Sequence, residues 1–266
     1  MANKIAVVTG ANKGIGRAIV ERLLDEAPEF TKVVMTARDS LKGTQTRDEI
    51  LKTGQEARLV FHQLDITDSS SIQSFADFLS SEFSQIDVLV NNAGIATRGD
   101  AFSYDIAYTT LSTNFYSTVK VTDCLVPYIK ETGHIINISS RLGHASHITN
   151  EFLRTKVLNV LTREELFALA EDFLEGVKLG NHSERGWHNN TYSVSKILLN
   201  CYTRILSKEV GMMVNAVSPG WVRTDMTGSH AALSPFEGAE TPLFLARLQN
   251  YQTGCFWKEC KIQDWE

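Results

Sequence analysis

Apolar residues recur along the chain in two alternating rhythms. Short unbroken runs rich in valine and isoleucine predict buried strands at Ile5–Thr9, Lys32–Thr36, Arg58–Gln63, Asp87–Val90, His134–Ile138 and Met212–Val217. Between them, apolar positions spaced three and four apart predict helices at Ile15–Ala27, Ser69–Phe83, Ser112–Ile129 and Tyr192–Lys208. Strands of this β-branched kind, each followed by a helix, imply right-handed βαβ units. The fold class expected is α/β, a doubly wound parallel sheet covered on both faces. No repeat, low-complexity tract or Gly/Ser linker interrupts the pattern, so residues 1–266 are expected to form a single domain. Such sheets bind ligands outside the carboxyl ends of their strands.

The first strand ends in "TGANKGIGRAIV", which sets Gly10, Gly14 and Gly16 before an apolar helix. Glycine permits the sharp turn and lets a pyrophosphate approach the backbone, where N–H groups at the helix start face the anion. The second predicted strand runs into "TARD". An NAD site usually carries an acid near this point, whereas arginine suits a 2′-phosphate. Here Ala37 occupies the acid's place and Arg38 follows, with Lys13 in the glycine loop as a second cation. NADPH is therefore the expected cofactor. Asp39 could neutralise Arg38 or take a ribose hydroxyl instead.

Composition narrows the class further. Hydrophobic residues make up 43% and charged residues 21%, values of an ordinary globular chain, and the net charge of -5 argues against a nucleic-acid partner. No apolar stretch reaches membrane-spanning length, and "IAVVTG" is too short for a signal-peptide core. Cys124, Cys201, Cys255 and Cys260 show no C-x-x-C spacing, so reduced thiols in the cytoplasm are expected. The sequons at Asn137, Asn181 and Asn189 are read as chance.

In "NTYSVSK", Tyr192 and Lys196 stand four apart and share one face of the last long helix. That spacing alone is equally that of a solvated helix face. Together with "TGANKGIG", "LDIT", "NNAG", "STN", "NISS" and "NAVSPGWVRTD", in this order over nearly the whole chain, it resembles the short-chain dehydrogenase/reductase family, and within it the monomeric carbonyl reductases. The resemblance implies a Rossmann-type sheet. It implies cofactor contacts at Gly10, Asn12, Lys13, Gly14, Ile15, Gly16, Arg38, Asp65, Ile66, Asn91 and Ala93. It adds Pro219, Val222 and Thr224 around the nicotinamide, and Tyr192 and Lys196. Asn114, Ser139, Tyr192 and Lys196 would be catalytic. Ser139, Leu142, Tyr192, Trp221 and Met226 would meet a small carbonyl substrate, and Arg98 could receive the carboxylate of a glutathione adduct.

The chemistry gives each role a reason. Reducing a carbonyl to an alcohol needs a hydride, which NADPH supplies, and a proton for the oxygen. A phenol titrates near 10, and the Lys196 ammonium is expected to lower that value for Tyr192. Ser139 is expected to stabilise the developing alkoxide; the resemblance implies that Asn114 holds a helix distortion and a proton-relaying water. Ser139 lies in no G-x-S-x-G elbow, so a serine hydrolase is not expected. His144 and His147 lack further suitably spaced ligands, so no metal is expected, and Cys255 and Cys260 are read as packing residues. Alternatives are a narrower prostaglandin or hydroxysteroid oxidoreductase and a non-catalytic NADPH-binding sensor.

Fifty-two residues separate Ser139 from Tyr192, too many for a structureless loop. The segment of roughly 145–188 is expected to be a helical insertion before the Tyr helix. Its helix would start at a capping box, Thr162 with Glu165, and end at Gly180. Packed beside the site helices, it would block the family's usual dimer contact, so a monomer is expected, or it would form a lid. Gly211 is expected to end the Tyr helix in an unusually short connection to the next strand.

Overall fold

A computed structural model describes residues 3–52, 54, 57–97 and 101–266. Arg98, the residue read as a carboxylate receptor, lies outside the described residues. Six strands form the parallel body: β1 (Lys4–Val8), β2 (Phe30–Ala37), β3 (Leu59–Gln63), β4 (Ile86–Asn91), β5 (Ile129–Ile138) and β6 (Met213–Val217). A hairpin adds β7 (Phe256–Lys258), parallel to β6, and β8 (Lys261–Gln263), antiparallel to β7, giving the order β3-β2-β1-β4-β5-β6-β7-β8. Strand order reverses between β1 and β4, which places the ligand crevice at their carboxyl ends.

Two apolar layers sandwich the sheet because alternate strand residues face opposite sides. Val7, Val34, Leu89, Ile135 and Val214 face a core built with α3 (Ser69–Glu82), α5 (Ser117–Leu125) and α8 (Thr191–Glu209). Their neighbours Ala6, Val8, Val33, Val88 and Ile136 face α1 (Gly14–Glu26) and α9 (Glu240–Ala246). Each fully buried aliphatic side chain in these layers contributes about 1.5–3 kcal/mol. The unbroken valine and isoleucine runs are the sequence signature of this two-sided burial.

The expected helix Ser112–Ile129 is a correction. Helix α4 begins earlier, over Tyr104–Leu111 with Ser103 as its cap, and a π-helical turn at Ser112–Tyr116 separates it from α5. A short 3-10 turn at Val126–Tyr128 then leads into β5, which starts at Ile129. Hairpin β7–β8 is unexpected as well. Its strands have three residues each, and its turn places Glu259 and Cys260 at φ 52° and 58° without the usual glycine or asparagine.

The insertion folds as expected in its main element. Helix α7 (Arg163–Leu179) follows α6 (Glu151–Leu158) and starts at a complete Thr162/Glu165 capping box. It ends at Gly180 with φ 74°. Leu166, Leu169, Ala170 and Phe173 bury its inner face. Arg163 ties its start to Asp123 on α5 and Glu209 on α8 at 2.7 and 2.8 Å. The return segment is pinned by Trp187 Nε1, which donates to Asp172 at 2.7 Å. The short connection is present, but Gly211 is not the helix end: α8 stops at Glu209 with Val210 as its extended cap at φ -117°, and β6 starts at Met213.

One buried histidine makes the fold sensitive to acid. His134 on β5 is 2% exposed; its Nδ1–H donates to Leu245 O at 3.0 Å, and Nε2 accepts from Asn215 Nδ2 at 2.8 Å. This bonding requires the neutral ring, and burial pushes the pKa down to about 4. The unfolded chain therefore binds this proton more readily. The stabilisation is complete above about pH 6.5 and is lost as pH falls toward 4. Between pH 7.5 and 5, urea unfolding should show a loss of about 2 kcal/mol from this group alone. His134→Gln should be less stable at pH 7.5 yet lose correspondingly less over the interval. An unchanged pH dependence in the variant would remove His134 as the cause.

Candidate active site

The site assembles where β1, β4, β5 and β6 end, and each strand end is shaped by its own residues. After β1, Gly10 (φ 63°) and Gly14 (φ 57°) adopt backbone closed to most side chains. Gly16 faces Asn92 so closely that an added Cβ would stand 2.4 Å from its Nδ2. Helix α1 starts at Gly14 with neither a side-chain cap nor an acidic residue in its first turn. The helices α2 (Ser40–Leu51), α3, α4, α6, α7 and α8 all have a side-chain N-cap. The open N–H groups of α1, with the loop containing Asn12 and Ile15, thus form a cradle for an anion.

Cations stand at the rim of this cradle. Arg38 is exposed at the end of β2, and among the described residues no acid forms an ion pair with it. Asp39 does not neutralise it, because its carboxylate caps α2 by accepting from Lys42 N at 3.0 Å. Lys13 is exposed as well and pairs with Asp225 at 2.7 Å across the crevice. An ion pair so open to water is worth little and yields readily to a phosphate. Thr224 packs its methyl against Gly14, closing the loop after β6 onto the glycine turn. The cradle and its two cations fit a dinucleotide that carries a 2′-phosphate.

Several expected cofactor contacts are redirected. Asn91, expected to support both the cofactor and the central sheet, spends its side chain on the sheet: Nδ2 donates to Thr122 Oγ1 at 2.9 Å and Asn137 Oδ1 at 2.8 Å inside the core. Asn137 in turn donates to Thr203 at 2.9 Å, so this ladder holds β4, β5, α5 and α8 together. The residue beside it, Asn92, instead clamps the glycine loop by donating to Thr9 O and Gly10 O at 2.8 and 3.0 Å. Ala93 lies against Gly10, where a Cβ would meet its Cα at 2.8 Å. Ile66 buries its side chain in the core, leaving Asp65, whose Oδ1 holds Thr67, as the group of that pair nearer solvent. Val222 is equally withdrawn, packed on Gly238 beneath the surface, while Pro219 is only partly buried.

On the substrate side, the structure separates the two serines that follow β5. Ser139, expected at the carbonyl, still belongs to the sheet: its N donates to Val217 O at 2.8 Å. Its hydroxyl points inward and donates to Asn200 Oδ1 at 2.6 Å, and the residue is 2% exposed. The next residue faces the other way, as strand alternation requires. Ser140 stands close enough to the Tyr192 phenol to draw its pKa down, and it accepts from Leu142 N at 3.1 Å. Adjacency to the partner hydroxyl therefore belongs to Ser140, a residue the sequence pattern does not single out.

Tyr192 lies in the first turn of α8, whose cap is Asn190. Lys196 Nζ sits 5.6 Å from the Tyr192 ring centroid and donates to Ile138 O at 2.7 Å. Burial pushes the Tyr192 phenol up to about 12, opposed by its bond to Ser140, and pushes Lys196 down to about 8. The phenol is thus raised rather than lowered, because burial outweighs the hydrogen bonding of Ser140. At neutral pH the phenol holds its proton and Lys196 remains mostly charged. Asn114 forms the middle of the π turn. It brackets Ile95, accepting from its N and donating to its O at 2.8 Å each, and donates to Ser195 at 3.0 Å. Its side chain contacts α8 through Ser195, with no direct bond to Lys196.

Leu142 (38% exposed) and Trp221 (58% exposed) stand at the surface, and Met226 is partly covered. His144 and His147 bond the main-chain carbonyls of Glu266 and Arg141. All four cysteines are free, with Cys260 in the β7–β8 turn against Thr241.

Comparison with known proteins agrees with this arrangement. A profile described as short chain dehydrogenase matches residues 4–151. Carbonyl reductase [NADPH] 1 of Rattus norvegicus is 40% identical over 275 residues, covering 98% of each chain. Among solved structures, salutaridine reductase from Papaver somniferum superposes with a TM-score of 0.88 at 30% identity, covering 96% of this chain and 99% of its own. Menthone neomenthol reductase from Mentha piperita gives 0.83 at 29%, covering 96% and 98%. The chain belongs to the short-chain dehydrogenase family.

Proposed function

We propose that this protein reduces small carbonyl compounds, aldehydes, ketones or quinones, to alcohols with NADPH, and that Tyr192 donates the proton. The observation that carries this reading is the grouping of a protonated phenol, a charged Lys196 and the Ser140 hydroxyl at the strand ends, next to an uncapped glycine helix. The naming of a 40% identical relative as an NADPH carbonyl reductase supports both cofactor and reaction. When bound, NADPH supplies the hydride. The backbone of Gly10, Asn12, Gly14, Ile15 and Gly16 would hold its pyrophosphate, Arg38 and Lys13 its 2′-phosphate, and Asp65 its adenine edge.

The chain's own groups do the rest. Ser140 donates to the substrate oxygen and strengthens its hold as negative charge grows there. Tyr192 delivers the proton to that oxygen. Lys196 then stabilises the phenolate left behind. Leu142, Trp221 and Met226 border the space from which the carbonyl enters. A narrower ketone substrate is the second reading, favoured because the two solved structures named above bear the names of particular compounds, salutaridine in one and menthone and neomenthol in the other. The full chain acts as one domain. We place the protein in the cytoplasm and read it as a monomer, since α7 and its Arg163 ion pairs cover α5 and α8. A stable dimer in light scattering would overturn the last point.

The deciding assay follows NADPH absorbance with a small quinone, an aldehyde and menthone, repeated with NADH. Turnover with NADPH is expected to exceed that with NADH, and Arg38→Asp should reduce kcat/KM for NADPH by about 10- to 100-fold, consistent with loss of a charge-assisted phosphate contact. Tight NADPH binding without turnover of any carbonyl would make the protein a sensor. An unchanged cofactor preference in Arg38→Asp would remove that residue from the 2′-phosphate site.

A further inference from the structure

Helix α8 carries a polar stripe on the face it turns to the site. Tyr192, Lys196 and Asn200 follow one another at intervals of four, and Asn200 is 3% exposed. Its amide is used at both ends. Oδ1 accepts from Ser139 Oγ at 2.6 Å, and Nδ2 donates to Gly143 O at 2.8 Å. The orientation follows from chemistry, since a carbonyl such as Gly143 O can only accept. The two contacts grip opposite ends of one short loop, and between them lies Ser140, whose hydroxyl meets Tyr192.

The rest of the loop is fitted to this grip. Leu142 O accepts from Ser193 Oγ at 2.6 Å, a further tie to α8. A Cβ on Gly143 would stand 2.8 Å from Asn200 Nδ2 and 2.9 Å from Lys196 O, so the loop approaches the helix as closely as its backbone allows. An apolar side chain at position 200 would carry no desolvation cost of its own, but it would leave Ser139 Oγ and Gly143 O without this partner. A buried amide there carries a desolvation cost that only its two bonds offset. Its value lies in geometry.

We propose that Asn200 is a positioning residue: by clamping Ser139 and Gly143 to α8, it sets where Ser140 stands relative to Tyr192. This rests on the reading of Ser140 and Tyr192 as the pair that meets the carbonyl. Asn200→Leu removes both contacts at similar volume. Asn200→Asp keeps the acceptor for Ser139 but turns a carboxylate oxygen toward Gly143 O. In both, kcat per NADPH-binding site should fall about 10- to 100-fold, the scale of a misplacement near 1 Å. The Kd for NADPH, read by fluorescence, should stay within about twofold, because the cradle lies on other strands.

Turnover per NADPH site within about twofold of wild type in either folded variant overturns the clamp. So does a parallel fall of turnover and NADPH affinity, or failure of both variants to fold, since each assigns Asn200 to stability alone. Ser140→Ala in the same assay separates the clamp from the site on which it acts. If it keeps full turnover, the site reading itself is wrong; if it loses turnover while the Asn200 variants do not, only the clamp fails.

Discussion

Tyr192→Phe is expected to lower kcat for carbonyl reduction by about 10³-fold or more, with NADPH affinity unchanged within about twofold. The substitution deletes one oxygen and leaves the ring. The packing of α8 and the Lys196 ammonium 5.6 Å from the ring centroid both survive it. Folding should therefore be little altered, and the loss should fall on chemistry. With the phenol pushed up to about 12, wild type holds its proton through the whole neutral range, which is the form reduction consumes. Phenylalanine has none to give, and water must enter a covered site to replace it. NADPH absorbance gives the rate, and a fluorescence titration gives the affinity. Turnover surviving within about fivefold would dismiss Tyr192 as the donor.

Much of this architecture is legible in the amino-acid sequence, and the reasons are local. Strand segments buried on both faces are near-continuously apolar, so the cores of β1 to β6 announce themselves, whereas the polar start of β5 and the three-residue strands β7 and β8 do not. The capping box at Thr162 and the left-handed Gly180 are equally readable, because their bonds close within a few residues. The π turn at Asn114 leaves the apolar spacing continuous and breaks only the hydrogen-bond register, so periodicity runs straight through it. Partner choice is less legible still. "NNAG" and "NISS" each present twin residues at a strand end, and which twin turns inward depends on the last pairing of the sheet. Asn91 and Ser139 both turn inward, leaving Asn92 and Ser140 at the crevice. The direction of the Tyr192 shift is unreadable for a related reason: a charge four residues away is visible in sequence, whereas the burial that raises the phenol is a property of the packed site.

That twin arrangement supplies the other large effect. Ser140→Ala should reduce kcat by about 10²- to 10³-fold, the usual cost of removing one donor aimed at a developing oxyanion. Ser139→Ala should keep kcat within about threefold, because no substrate contact is lost and both the sheet bond of Ser139 N and the Asn200 grip on Gly143 remain. The asymmetry follows from where each hydroxyl is spent. Ser140 shares its position with the phenol, so its loss removes a donor to the substrate oxygen and lets the Tyr192 pKa rise further. Ser139 gives its proton to Asn200 at 2.6 Å in the interior, and no substrate atom can reach it there. Its removal leaves Asn200 Oδ1 short of a donor, which should cost about 1–3 kcal/mol of folding stability. The remaining Asn200 bond to Gly143 still holds the loop. The two variants should thus separate cleanly: one stable and slow, the other less stable and nearly as fast. Paired kcat and urea-unfolding measurements test both halves, and the reverse pattern would restore Ser139 to the carbonyl and remove Ser140 from it.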